Sequence, residues 1–287
     1  MKRFGIDTPE TQNMQKISGV KDNFVIEEND MIFETHAHYD DEAFEEDREE
    51  LLDSMRESGI GRIVNACASV ESLKETAALM EKYPFVYGAF GIHPDDADKM
   101  TEETLEEIRK LCQLPKAVAV GEIGLDYYWH KEEAEHEIQK KMFRAQMKIA
   151  REEKMPFMIH SREAAKDTLD IVKEFMKDGM YGGIIHCFSY AKEMAREYLD
   201  MGLYLGIGGV VTFKNAKKLK EVVEYAPLSQ IVLETDSPYL SPEPNRGKRN
   251  DSRNLVFVAQ GIAQIKGITE EEVIAVTEQN AERLLLR

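Results

Sequence analysis

The sequence is that of an α/β protein and predicts a (β/α)8 TIM barrel over residues 31–287, an expectation carried by three observations. Eight short runs rich in Val, Ile, Phe and Gly alternate with longer segments of helical period, the pattern of a parallel sheet whose crossovers are helices. From Met31 onward the chain has the length such a barrel takes, about 250 residues. Polar, chemistry-bearing residues gather at the C-terminal ends of many runs, where barrels build their sites. An open doubly wound sheet, the alternative architecture, would gather them at one switch point, and no G-x-G-x-x-G follows the first run to support it.

In chain order the runs are MIFETHAH, beginning at Met31, then RIVNACAS, VYGAFGIHP, AVAVGEIGLD, PFMIHS, GGIIHCFS, LYLGIGG and IVLETDSP, which begins at Ile231. Between them, DREELLDSMRESG places Leu51, Leu52 and Met55 on one side of a helix, and NAKKLKEVVEYAP does the same with Leu219, Val222 and Val223. The last segment, TEEEVIAVTEQNAERLLL, opens with Thr269 and carries Glu272 three residues on, the spacing of a capping box, before an apolar stripe of Val273, Ile274, Ala281 and Leu284. It is expected to close the outer ring. Residues 1–30 are polar, of mixed charge and without a sustained period, so they read as an N-terminal extension.

Composition excludes several classes. With 37 Lys+Arg against 54 Asp+Glu, the formal charge of −17 is the opposite of what a DNA-coating or histone-like binder carries. A hydrophobic fraction of 43% supplies a core and excludes a disordered chain. No apolar run approaches the roughly 18 residues of a membrane span, and MKRFGIDTPETQ lacks the apolar region of a secretory signal. A cytoplasmic protein with no membrane association is therefore expected. Cys67, Cys112 and Cys187 are far apart without a C-x-x-C pair, which fits reduced packing residues.

The candidate metal ligands follow from strand geometry. In a strand, residues i and i+2 share a face, so His36 and His38 of the first run can aim at one point. The fourth run delivers Glu122, the fifth ends at His160, the sixth at His186 and the eighth at Asp236, while His93 follows the third. Five of the seven histidines thus fall at run C-termini, where chance would scatter them. His130 and His136, in a polar segment, read as structural. Four imidazoles and two carboxylates exceed the ligand set of one tetrahedral ion, so two divalent cations sharing a carboxylate are the economical arrangement. Mixed His and carboxylate donors suit Zn²⁺, Mn²⁺ or Co²⁺ on affinity grounds.

The motifs MIFETHAHYD, AFGIHP, GEIGLDYY, PFMIHSREA, HCFS and LETDSPYL followed by RGKRN resemble, in order and spacing, the TatD family of metal-dependent deoxyribonucleases among the amidohydrolase-like barrels. The resemblance runs from Met31 nearly to the C-terminus. It implies that His36, His38 and Asp236 hold one metal, His160 and His186 the second, and Glu122 bridges them, with Asp236 orienting and deprotonating the attacking water. It also implies a 3′→5′ exodeoxyribonuclease, with Mg²⁺ as the working ion. One departure is Glu34, where the family usually has Asp. That residue is expected either to hold an imidazole N–H or to fill the interior. The extension at residues 1–30 is a second departure.

Local charge can serve a phosphate substrate despite the acidic average. Arg246, Lys248 and Arg249 of the RGKRN loop, together with Arg162 and His93, are the candidate substrate contacts, and Tyr127, Tyr128 and Trp129 offer faces for unpaired bases. This distribution suits DNA presented as a single strand or strand end, without sequence readout. Two other readings compete: a carbonyl ester or amide hydrolase on the same scaffold, such as a D-aminoacyl-tRNA deacylase, and a non-catalytic partner-binding barrel.

Overall fold

The computed structural model describes residues 31–286, and the expected extension at residues 1–30 lies outside them. Eight strands, β1 (Ile32–Ala37), β2 (Ile60–Ala66), β3 (Val86–Ala89), β4 (Ala117–Asp126), β5 (Phe157–Arg162), β6 (Gly183–Ile185), β7 (Tyr204–Ile207) and β8 (Ile231–Leu233), form one sheet in sequence order with every neighbouring pair parallel. The ring closes where β8 returns to β1. There His38 N donates to Ser237 O at 2.8 Å, Asp236 N donates to His36 O at 3.0 Å, and Thr35 Oγ1 donates to Leu233 O at 2.9 Å. This is the (β/α)8 barrel that the run pattern predicts.

Helices fill every crossover: α1 (Arg48–Asp53), α2 (Ser72–Lys82), α3 (Glu102–Leu111), α4 (Glu133–Glu152), α5 (Ala165–Lys177), α6 (Lys192–Asp200) and α7 (Lys217–Tyr225), with α8 (Leu255–Lys266) and α9 (Glu270–Leu285) after the last strand. Leu51, Leu52 and Met55 are buried as their spacing predicts, although the helix stops at Asp53 and a short 3₁₀ turn follows from Arg56. Thr269 does accept from Glu272 N at 3.1 Å, so the side-chain half of the expected capping box is present. Among the described residues no helix is long and apolar enough to cross a membrane.

Every strand contributes to an apolar cluster inside the barrel: Phe33, Val64, Ala89, Val118, Met158, Ile184, Tyr204 and Val232 come from β1 to β8 in turn. Ala281, Leu284 and Leu285 of α9 join the same cluster. The last helix therefore packs against β1 and β8 and covers the base of the barrel, leaving the other mouth for chemistry. Asn280 fastens it there, its Nδ2 donating to Leu228 O and Ile231 O, each at 2.8 Å.

Replacing Asn280 by Ala would leave those two carbonyls without their donor, and a lost buried partner costs about 1–3 kcal/mol. Urea unfolding of Asn280→Ala should show a lower midpoint at unchanged slope. An unaltered midpoint would remove Asn280 as a fastening of the barrel base.

Candidate metal centre

The strand ends converge on Glu122, which is 3% exposed near the middle of β4. Its Oε2 lies 3.2 Å from His36 Nε2 and 3.5 Å from His38 Nε2, while Oε1 lies 2.9 Å from His160 Nδ1, 3.7 Å from His186 Nε2 and 3.9 Å from His93 Nε2. Burial opposes the charged form of this carboxyl, but the imidazoles of His186 and His36 and hydrogen bonds from His160 and His36 outweigh it, so it stays well below the usual range. An ionised carboxylate is thus held at the centre of five histidines.

Asp236 completes the ring from the segment after β8, with Oδ1 at 3.4 Å from both His38 Nε2 and His186 Nε2. Its backbone has φ +59°, in the left-handed region that Asp tolerates better than most residues. Burial disfavours its charge, yet His186 and His38 more than offset this and hold the carboxyl well below its ordinary value. The His36 and His186 rings stack with centroids 3.5 Å apart. Burial first, then this neighbour, pushes the His36 pKa down.

The donor set fits a cation. Nδ1 of His38 lies 2.8 Å from Ala66 O, and a carbonyl only accepts, so Nδ1 carries a proton and the neutral ring offers its Nε2 lone pair to the cluster. That lone pair faces His36 Nε2 at 3.2 Å. Burial lowers the His38 pKa, but Asp236 and Glu122 outweigh it and raise it to about 9, the electrostatic mark of a site that favours positive charge. Three ligand groups share this volume: His36, His38 and Glu122; His36, His186 and Asp236; and His93, Glu122 and His160. His160 and His186 both approach Glu122 Oε1, at 2.9 and 3.7 Å, with His186 also against Asp236 and His36, and His93 beside His160.

Two outer carboxylates, Asp126 and Glu234, stand behind the imidazoles in positions the sequence reading did not assign. Asp126 Oδ2, at the end of β4, lies 3.1 Å from His160 Nε2 and turns Nδ1 towards Glu122. Gln139 of α4 accepts from Asp126 N and donates to Asp126 O, fixing that strand end. Glu234, fully buried, sits 3.1 Å from His186 Nδ1 but off the N–H direction, and accepts from Cys187 N at 2.5 Å. Its spacing, two residues before Asp236 and opposite Gly206 of β7, was the available signal. A side chain at Gly206 would overlap the Glu234 carboxylate.

Glu34 is fully buried and fills the interior, the second of its two expected roles, and it does not hold an imidazole N–H. Its Oε1 accepts from His36 N and Thr235 N at 3.1 and 2.9 Å, and Oε2 from Thr235 Oγ1 at 2.6 Å, so it stitches β1 to the segment after β8. Burial raises its pKa to about 8 despite the Thr235 bonds. Cys67 and Cys112 are buried and Cys187 half-buried, with burial pushing each thiol upward. His130 bridges Asp95 and Glu135, and His136 stacks on Tyr127 at 3.7 Å.

The centre opens into a cavity of about 1160 Å³ whose wall includes His38, His93, Glu122, His160, His186 and Asp236, with Arg162 and Trp129 at the side. Arg246, Lys248 and Arg249 are not on that wall. Arg246 lies over the Phe213 ring at 4.2 Å, and Lys248 Nζ is 3.4 Å from Asn245 Oδ1. Arg249 is engaged twice by Asp47, at 2.7 and 2.6 Å, and donates to Ala43 O. The loop that reads as basic in sequence uses Arg249 to tie itself to the segment before α1.

Comparison with known proteins adds the following. The family profile described as TatD related DNase matches residues 33–286. A Bacillus subtilis protein named uncharacterized metal-dependent hydrolase YabD is 44% identical over 254 residues, covering 88% of this chain and 98% of that protein. A Citrobacter rodentium protein named 3′-5′ ssDNA/RNA exonuclease TatD is 30% identical over 259 residues, covering 88% and 97%. Among solved structures, the TatD homologue YjjV from Escherichia coli superposes with a TM-score of 0.83 at 27% identity, covering 90% of this chain and 98% of that one.

A methyl at position 206 can be accommodated only if the buried Glu234 carboxylate moves. Gly206→Ala should therefore lose about 1–3 kcal/mol of stability, the ordinary cost of overpacking, read as a lower urea midpoint. Wild-type stability in this variant would mean Glu234 is not confined as described.

Proposed function

The chain belongs to the TatD-related DNase family, and from that membership we propose that it is a 3′→5′ exodeoxyribonuclease acting on single strands or strand ends. The observation that carries the reading is the buried, ionised Glu122 at the meeting point of four imidazoles and within reach of a fifth, at the open mouth of a barrel. Such a centre is suited to two divalent cations, Mg²⁺, Mn²⁺ or Zn²⁺. His36, His38 and Asp236 would hold one, His160 and His186 the other, and Glu122 both. When bound, these ions supply Lewis acidity to a phosphoryl group and positive charge that favours hydroxide over water.

The chain's own groups complete the chemistry. Asp236, kept ionised by His186 and His38, orients the attacking water and accepts its proton at the carboxylate. The water oxygen bonds to phosphorus as the bond to the neighbouring 3′ oxygen breaks, releasing a nucleoside 5′-monophosphate. His93, whose pKa is lowered to about 4 by burial and then by His160, stays neutral and is free to donate one N–H to a phosphoryl oxygen. Arg162 stands on the cavity wall for an adjoining phosphate.

One observation favours a second reading. The cavity wall also carries Asp40, Asp41, Glu42, Glu45, Glu71 and Glu75, a charge that repels a long polyanion and tolerates an uncharged or cationic acyl substrate such as an aminoacyl ester.

Metal-stripped protein resupplied with Mg²⁺, Mn²⁺ or Zn²⁺ should shorten a 5′-labelled single strand stepwise and free the label of a 3′-labelled one at once. Asp236→Asn, with fold retained by circular dichroism, should slow this by about 10²- to 10⁴-fold, the usual worth of a positioned general base. Release of D-aminoacyl esters by the same metal-loaded protein, without nucleotide release, would overturn the nuclease reading in favour of the carbonyl one.

A further inference from the structure

We infer that Trp129, with Tyr128 and Arg162 beside it, is a stacking platform for a nucleobase of the strand whose phosphate enters the metal centre, an inference that rests on the nuclease reading for its substrate. The indole is 65% exposed and forms part of the cavity wall, although a large apolar ring is normally covered. Tyr128 meets it edge-on, with ring centroids 4.7 Å apart at 83°. The Arg162 guanidinium lies 4.0 Å from the Tyr128 ring centroid and 5.6 Å from that of Trp129. Among the described residues that guanidinium has neither a hydrogen bond nor a carboxylate partner. Arg48, the other arginine on the wall, donates instead to the carbonyls of Asp40 and Asp41.

The platform is mechanically joined to the centre. Asp126 Oδ1 accepts from Tyr128 N and Trp129 N at 2.8 and 2.9 Å, while its Oδ2 holds His160. One carboxylate thus fixes both the imidazole beside Glu122 and the turn that presents the indole. Tyr127 takes no part, since its hydroxyl donates to Asp167 and its ring stacks on His136. The cavity wall carries many carboxylates, Asp40, Glu42, Glu71 and Glu75 among them, so Arg162 beside Trp129 is where an anion meets a free cation and an aromatic face. Stacking ignores base identity, so the platform selects for an unpaired base without reading sequence.

Trp129 is the single tryptophan of the chain, so intrinsic fluorescence reports on this ring alone. The probe is phosphorothioate-linked (dT)6, chosen to resist hydrolysis, titrated into Mg²⁺-loaded full-length protein beside an oligomer of equal charge carrying abasic residues. Saturable quenching by (dT)6 and at least tenfold weaker binding of the abasic oligomer are expected. On cleavable single strands, Trp129→Ala should raise KM by about 5- to 150-fold with kcat little changed, the usual worth of one stacked base, and Trp129→Phe should restore part of it. Equal response to both oligomers, or an unchanged KM in Trp129→Ala, would overturn the platform while leaving stepwise hydrolysis intact. Base-dependent quenching without any hydrolysis would instead sink the nuclease reading and keep the platform. Failure of both signals would remove both.

Discussion

An ionised carboxylate buried among imidazoles is the constraint on which the rest of the molecule turns. Glu122 is almost fully enclosed, and a charge in that position is costly unless it is paired and hydrogen-bonded. The protein meets the cost by bringing His36 from β1, His38 from just beyond it, His160 from β5 and His186 from just after β6 to within 3.7 Å of its oxygens. A closed barrel does this well, because every strand ends at the same mouth and each is locked to two neighbours. Loosening the ring at any seam would spread the donors.

Packing around that charge is built in layers. The His160 and His38 imidazoles are turned by Asp126 and the Ala66 carbonyl, with Gln139 holding Asp126 in turn, while Glu234, held by the Cys187 backbone N–H, places its charge beside His186. Glu34 works at the β1–β8 seam, where its bonds to Thr235 keep the Asp236 segment beside His36 and His38. A donor set oriented in this way can receive a cation without large reorganisation, since the lone pairs already face one volume. The apolar base beneath it, sealed by the end of α9, keeps the opposite mouth closed.

Charge on the surface is divided in a way the net value of −17 conceals. Arginines that would advertise a nucleic-acid footprint, Arg249 and Arg253, are paired with Asp47 and Asp251. The cavity wall carries many carboxylates, and its free cation is on the side where Arg162 lies against two aromatic rings. A short ligand that touches only that side fits the distribution better than an extended duplex. Affinity would then come from stacking and from the metal centre more than from wide phosphate neutralisation.

Periodicity, run order and chain length suffice for the barrel, because alternating strand and helix patterns leave few ways to bury both faces of a parallel sheet. They also suffice to gather His36, His38, Glu122, His160, His186 and Asp236 at one mouth, since each lies at or near a strand's C-terminal end. Which of those groups adjoin is a different matter. The stacking of His186 on His36, and the approach of His93 to Glu122, depend on angles around the ring that no linear spacing encodes. The same holds for Glu34, whose strand position left an imidazole partner or an interior filler open and whose buried carboxylate crosses the β1–β8 seam to Thr235, a residue about two hundred positions away. Arg249 and Arg162 look alike as sequence, and only three-dimensional neighbours separate them: Asp47 neutralises the first, and two aromatic faces leave the second charged and free. Contacts between segments distant in sequence are set by closure of the ring, and closure is a property of the folded chain.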